Sequence, residues 1–249
     1  MTIIDQNLIA ELEKIADPKD LMREIFTRFG KRAAIGTSGQ LTGSVMIDLV
    51  CASGVKPRVF TIDTLRLFKE TYELFEQVEK KYGIHVERFQ PDTKKLQSMV
   101  SEHGEYLFFD SKNKQELCCE IRKVEPNERA LDTVDVWLTG LRADQSKARA
   151  STSKFEILNH KGRPLLKVAP LVDWTEKQLR DYAQSHEVPV HKLLNWNQNG
   201  WYYESLGCVI CTTPIGPHET RRAGRWRWFN SQDPDANKEC GLHVVKKDE

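Results

Sequence analysis

No stretch of this 249-residue chain is apolar for long enough to span a bilayer, so neither a helical membrane protein nor a membrane partner is expected. The opening residues, MTIIDQNLIAELEKIADPKD, have no basic region followed by an apolar run. A secretory signal is therefore not expected, and the chain reads as cytoplasmic. The net charge is only +1, too small for a general nucleic-acid binder. Neither G-x-x-x-x-G-K-[ST] nor G-x-G-x-x-G occurs, so the two commonest phosphate fingerprints are excluded. There is no internal repeat and no low-complexity tract. The seven histidines show no metal spacing. What is present is ordinary for a packed domain: 39% hydrophobic and 29% charged residues.

Charge and sulfur are unevenly spread. The segment HETRRAGRWRWFN carries four arginines in thirteen residues, which points to a local anion site. Six cysteines in a reducing compartment read as metal-binding or catalytic rather than as a disulfide framework. Four of them form two pairs, Cys118 with Cys119 in ELCCEIRK and Cys208 with Cys211 in LGCVICTTP. Two such pairs can close on one tetrahedral centre or on a cluster, and thiolates suit zinc and iron–sulfur centres alike. Arg122 and Lys123 follow the first pair. Cations there would stabilise thiolate charge or hold an anionic substrate. Cys51 lies in a helical pattern and reads as a small core residue. Cys240, in NKECGLH, stands behind the arginines and tryptophans near the end of the chain. A thiol becomes a nucleophile as the thiolate, which neighbouring cations favour. A tail can cover a substrate with such a thiol and then offer it to a second protein.

The apolar spacing alternates between helix and strand periods. LIAELEKI and LMREIFTRF are helical, RAAI is a short buried strand, and SVMIDLVCASG is a helix. KPRVFTID, IHVERFQP and VDVWLTGL are further strands, with LFKETYELFEQVEKKYG and TKKLQSMVSEHG as helices among them. FEILNHKGRPLLKVAPL reads as two strands around a Lys-Gly turn, and TEKQLRDYAQSH as a helix capped by Thr175. This rhythm predicts an α/β fold, a mostly parallel sheet with helices on both faces. The expected organisation is an α/β domain over residues 1–204 and a C-terminal segment over 205–249, acting as one functional unit.

Three loops sit where such a fold binds ligands, at the carboxyl edge of the sheet. In GTSGQLTGS, Ser38, Gly39 and nearby backbone N–H groups are placed to cradle a phosphate at a helix N-terminus. TIDTLRLF brings Asp63, Thr64 and Arg66, and TGLRADQSKAR brings Arg142 and Arg149. Together they make a basic rim.

Taken together, CCEIRKVEP, TGLRADQS, GCVICTTP, GRWRWF and KECGLH resemble the assimilatory adenylyl-sulfate reductases of the phosphoadenylyl-sulfate reductase family, from about residue 30 to 245. The resemblance implies an adenine nucleotide α-hydrolase-like fold with a C-terminal redox tail. It implies a [4Fe–4S] cluster on Cys118, Cys119, Cys208 and Cys211, and Cys240 as the nucleophile. It places Ser38 and Gly39 in the phosphate loop, Lys123 between cluster and substrate, and Arg66, Arg142 and Arg149 along the nucleotide and sulfate site. Arg222 and Arg225 match tail arginines that close on the substrate, and His243 follows the nucleophile. The implied reaction reduces adenylyl sulfate, or its 3′-phosphorylated form, with thioredoxin or a similar dithiol as donor, in a homo-oligomer. A zinc-stapled nucleotide-binding module without turnover is the expectation from another class. The chain departs from the family at the loop, which lacks its acidic pair. It lacks the Asp-Ser of the related ATP pyrophosphatases, which disfavours an ATP-dependent adenylating enzyme.

Overall fold

A computed structural model describes residues 2–146 and 149–229. Its main sheet has six strands: β1 (Ala33–Gly36), β2 (Val59–Ile62), β3 (Val86–Phe89), β4 (Val136–Thr139), β5 (Phe155–His160) and β6 (Arg163–Val168). Their order is β3-β2-β1-β4-β6-β5. β1 runs parallel to β2 and β4, and β4 parallel to β6, while β5 pairs antiparallel with β6. The mostly parallel sheet is therefore as expected. β4 is buried at all four positions and β1 at its first three, which is why both read as continuous apolar runs without alternation. At the β5–β6 turn Lys161 and Gly162 have φ of 52° and 79°. Two successive left-handed residues match the right-handed twist of the hairpin.

The helices are α1 (Gln6–Leu12), α2 (Pro18–Phe29), α3 (Leu41–Ala52), α4 (Lys69–Tyr82), α5 (Thr93–His103), α6 (Lys112–Cys119), α7 (Glu125–Leu131) and α8 (Glu176–Ser185). Thr175 caps α8, as the sequence predicts, and the Gln178 side chain returns the cap on the Thr175 backbone. α3 is buried from Leu41 through Val50. Its one carboxylate there, Asp48, accepts hydrogen bonds from Tyr82 and Tyr182, each at 2.8 Å, so the buried charge is not left unpaired. Cys51 is half-buried, and burial pushes its thiol up to about 11. Among the described residues no helix is long and apolar enough to cross a membrane.

The chain divides into two compact units. The first comprises Met1–Thr61, Glu70–Glu87 and Leu131–His191. The second comprises Ile62–Lys69, Arg88–Ala130 and the chain from Lys192 onward, and it holds both cysteine pairs. Within the second unit, α6 continues into α7 through a feature that the apolar pattern does not announce. Pro126 is the second residue of α7. Its missing N–H and its ring would break an ordinary helix at the carbonyl of Arg122. The chain instead forms a π-turn over Glu120–Val124, where the Glu125 N–H donates to Glu120 O. Such turns insert one residue without ending the helix and occur often at functional sites. This one begins directly after Cys119.

Candidate active site

In the first unit the order of the strands reverses between β1 and β4. The crevice outside the carboxyl ends of strands at such a reversal is where open α/β sheets take ligands. The loop after β1 carries Ser38 and Gly39. Gly39 has φ +73°, and its N–H donates to Thr37 Oγ1 at 3.1 Å. The Ser38 hydroxyl accepts from Gln40 Nε2 at 3.2 Å. The loop after β4 lies against the start of α3, which follows the loop after β1, since a Cβ on Gly140 would sit 3.2 Å from Thr42 Cβ.

Arg142 follows on that second loop and is 2% exposed. Its Nη1 donates to Thr42 Oγ1 at 2.7 Å, its Nε to Asp144 at 2.9 Å and its Nη2 to Glu176 at 2.8 Å. The guanidinium thus ties the start of α3 to the start of α8. Arg149 donates from Nη1 to Gln145 Oε1, whose oxygen also accepts from the Arg142 backbone N–H at 3.2 Å. Arg142→Leu should cost about 2 kcal/mol of folding stability, below the usual penalty for breaking a buried pair, because its carboxylates keep some water. Both are 29% exposed. Urea unfolding checks this.

The second unit gathers the thiols. Cys118, Cys208 and Cys211 are buried, and Cys119 is half-buried. Ile210 and Trp228 pack against both the cluster of Met99, Leu107, Phe108 and Cys118 and the cluster of Cys208, Cys211 and Trp226, so Cys118 and the C-x-x-C pair share one apolar wall. The segment after the C-x-x-C folds back alongside it. Thr213 N–H donates to Gly224 O at 2.9 Å, and Trp226 N–H to Cys211 O at 3.2 Å. This pairing carries Arg225 and Trp226 to the cysteine loop. Arg225 is buried, and its Nη1 donates to Leu206 O at 2.7 Å. Lys123 and Arg225 lie over the Trp226 ring at 6.0 and 5.1 Å. Arg222 is half-buried.

Gly207 makes room for this arrangement, since a Cβ there would fall inside the Arg225 guanidinium. Gly207→Ala should therefore destabilise by about 1–3 kcal/mol, as overpacking does. In the Arg225→Ala background the same substitution should cost nearly nothing, a coupling that a double-mutant cycle in thermal unfolding measures.

Charge around the thiols is strongly cationic. Burial pushes the Cys208 thiol up. Lys123, the Thr64 hydroxyl at 3.3 Å, Arg225 and Arg122 outweigh it and hold Cys208 below the ordinary thiol range. Burial, and then the neighbouring Cys208, push Cys211 up to about 11. Burial also raises Cys118, against the pull of Arg122. Arg122 Nη1 donates to Thr64 O at 2.9 Å. Arg66 Nη2 donates to Glu105 O at 2.7 Å, with its guanidinium 5.0 Å from the Phe108 ring centre. Among the described residues, buried Arg66 Nη1 and Arg122 Nε have no hydrogen-bond partner. No three His, Cys, Asp or Glu side chains among the described residues are grouped so as to hold a metal ion. Cys240 and His243 lie outside the described residues. Sequence reading puts Thr64 at the sheet edge but gives no sign that it reaches Cys208, because their pairing is set by tertiary structure alone.

The mostly parallel six-stranded sheet is of the adenine nucleotide α-hydrolase-like α/β fold, as its likeness to two solved structures shows. FMN adenylyltransferase from Candida glabrata shares that fold, with a TM-score of 0.55 at 15% identity over 88% of this chain and 70% of that one. A phosphoadenylyl-sulfate reductase from Candida auris, solved as a phosphate complex, superimposes with a TM-score of 0.67 at 26% identity, over 86% of this chain and 99% of that one. The phosphoadenosine phosphosulfate reductase domain matches residues 32–214, and the chain belongs to that family. Relatives named adenosine 5′-phosphosulfate reductase are 36% identical in Burkholderia cepacia, over 98% of this chain and 92% of the relative. The relative of that name in Allochromatium vinosum is 40% identical over 80% of this chain and 73% of its own length.

Proposed function

We propose that this chain reduces adenylyl sulfate to sulfite and AMP through a thiosulfonate on Cys240. The observation that carries this reading is the cysteine wall of the second unit, with buried Arg122 and half-buried Arg66 beside it, each keeping an unspent buried N–H donor. An anionic sulfur centre and an anionic substrate are what such donors would satisfy.

In this reading the Cys240 thiolate attacks the sulfate sulfur. The bond from that sulfur to the bridging oxygen breaks, and AMP leaves with the electron pair. The product is S-sulfocysteine, a covalent intermediate that divides one hard step into two. A thiolate of thioredoxin or a similar dithiol then attacks Cys240 Sγ and expels sulfite. The second donor thiol resolves the mixed disulfide, returning Cys240 as thiol and leaving the donor oxidised by two electrons. Ser38 takes a phosphate oxygen through its hydroxyl, and the Gly39 turn brings the neighbouring backbone N–H groups of the loop to the phosphate. Arg66, Lys123, Arg142, Arg149, Arg222 and Arg225, with His243 on the tail, complete the proposed substrate-binding set. Fixed cations stabilise the charge on the leaving phosphate and the transferring sulfonyl group. Arg142 and Arg225 act here mainly by fixing the loops on which they are spent. Residues 205–249 serve as the segment that carries the C-x-x-C and the nucleophile, in one functional unit with the rest.

A [4Fe–4S] cluster is proposed on Cys118, Cys119, Cys208 and Cys211. The donor chemistry supports it: of the four thiols three are buried, with Arg122 and Lys123 acting on Cys118 and Cys208, and Lys123 and Arg225 on Cys208 and Cys211. When bound, the cluster supplies fixed charge and a tie between two distant chain segments, while the dithiol supplies both electrons. A homo-oligomer is proposed on the family resemblance.

The 35–40% identity to relatives named for adenosine 5′-phosphosulfate favours that substrate. The Candida auris structure favours the 3′-phosphorylated one as the second reading. Sulfite release with thioredoxin on each nucleotide decides between them. Higher kcat/KM on adenylyl sulfate is the expected result, and preference for the 3′-phosphorylated nucleotide would reverse the assignment.

A further inference from the structure

His191 is a buried ionisable side chain that the chemistry above does not use. It is 1% exposed, and its Nε2 lies 2.9 Å from Thr71 Oγ1. Burial pushes its pKa down to about 4, outweighing the upward pull of Glu70. The imidazole is therefore neutral near pH 7, with one donor and one acceptor nitrogen. Either tautomer can hold a hydroxyl in place.

Thr71 is itself buried, in the first turn of α4. A threonine in a helix divides between two rotamers, because its hydroxyl can turn back to a carbonyl of the preceding turn. A partner fixed in the core selects one of them. The choice matters because of what the methyl touches. A Cβ built on Gly39 would lie 3.1 Å from Thr71 Cγ2, with Leu74 and Phe75 next at 3.5 and 3.6 Å. This face of α4 is thus the floor under the left-handed residue of the loop after β1, and Thr71 is its nearest point.

We propose that His191 is a positioning residue for the nucleotide: by holding the Thr71 hydroxyl it sets the methyl beneath Gly39, and through it the shape of the loop that receives phosphate. The inference rests on reading that loop as the phosphate site. His191 itself touches no substrate.

The test uses the full-length holoenzyme and measures AMP affinity by calorimetry, with KM and kcat on adenylyl sulfate. His191→Leu and Thr71→Val should each weaken AMP binding and raise KM about fivefold, the worth of roughly one hydrogen bond. kcat should stay within about twofold, as for a group that shapes binding rather than the transition state. The double variant should be no worse than either single one, because both break the same link. Thr71→Ser keeps the hydroxyl but removes the methyl, so it too should weaken binding. His191→Gln keeps a polar amide and should recover most of the affinity, and it serves if His191→Leu fails to fold.

Gly39→Ala tests the reading on which the inference stands. If it binds AMP like the wild type, the loop is not the phosphate site. If Gly39→Ala loses AMP while folded His191→Leu and Thr71→Val bind normally, the positioning role is overturned. Additive losses in the double variant would overturn it equally.

Discussion

Cys240→Ser should lower sulfite release by at least about a thousandfold, as loss of a covalent nucleophile does. A serine hydroxyl is almost wholly protonated at neutral pH and is a poor nucleophile toward sulfur. The argument reaches further than the first step. Even a sulfate ester formed on serine would present the dithiol with an oxygen, and thiol–disulfide exchange proceeds only by attack on a sulfur that carries a good leaving group. The variant should still bind AMP within about twofold of the wild type, since the proposed phosphate loop lies elsewhere in the chain. Measuring sulfite and AMP affinity on the same preparation separates a lost nucleophile from a lost fold. Retained sulfite release would remove Cys240 from the mechanism.

Cys208→Ser should produce a far larger structural loss than Cys51→Ser. Cys208 is the buried thiol that its surroundings hold below the ordinary range, through Lys123, Thr64, Arg225 and Arg122 acting against burial. Of Cys51, Cys118, Cys208 and Cys211, it is thus the thiol most prepared to act as a thiolate ligand. Serine should drop bound iron and acid-labile sulfide to a small fraction of wild type. Melting temperature should also fall, because the binding free energy of a structural metal centre is folding free energy. Cys51→Ser provides the contrast. Its thiol is half-buried and pushed up to about 11, which marks an inert side chain, so iron, sulfide and melting temperature should stay near wild type. Equal iron in the two variants would contradict the ligand assignment.

The sequence makes the sheet legible because its central strands, β1, β2 and β4, are short, mostly apolar and bounded by turn residues. Lys161-Gly162 and Thr175 with Gln178 are local codes, readable without tertiary context. The cysteine pairs are legible for the same reason: spacing is a property of sequence. Three features are not. The π-turn after Cys119 follows from Pro126 within a helix that tertiary packing keeps continuous, and no apolar period reports that competition. Arg142 and Arg225 read as free cations, yet the fold spends most of the donors of the first on Thr42, Asp144 and Glu176 and brings the second to Leu206 O. A charge in a sequence has no partners until the chain folds. His191 carries no motif, and its meaning comes from Thr71, 120 residues earlier in the chain, and from the glycine above it. The tail with Cys240 is the converse case: its proposed role comes from sequence alone.

The most direct measurement is mass spectrometry of the Cys240 peptide after the reduced, anaerobic protein is mixed with adenylyl sulfate and no thiol. The account predicts a gain of one SO₃ on that peptide, with stoichiometric AMP, and its release as sulfite when thioredoxin is added. An unmodified Cys240 peptide beside iron-loaded protein, on adenylyl sulfate and on its 3′-phosphorylated form alike, would contradict it.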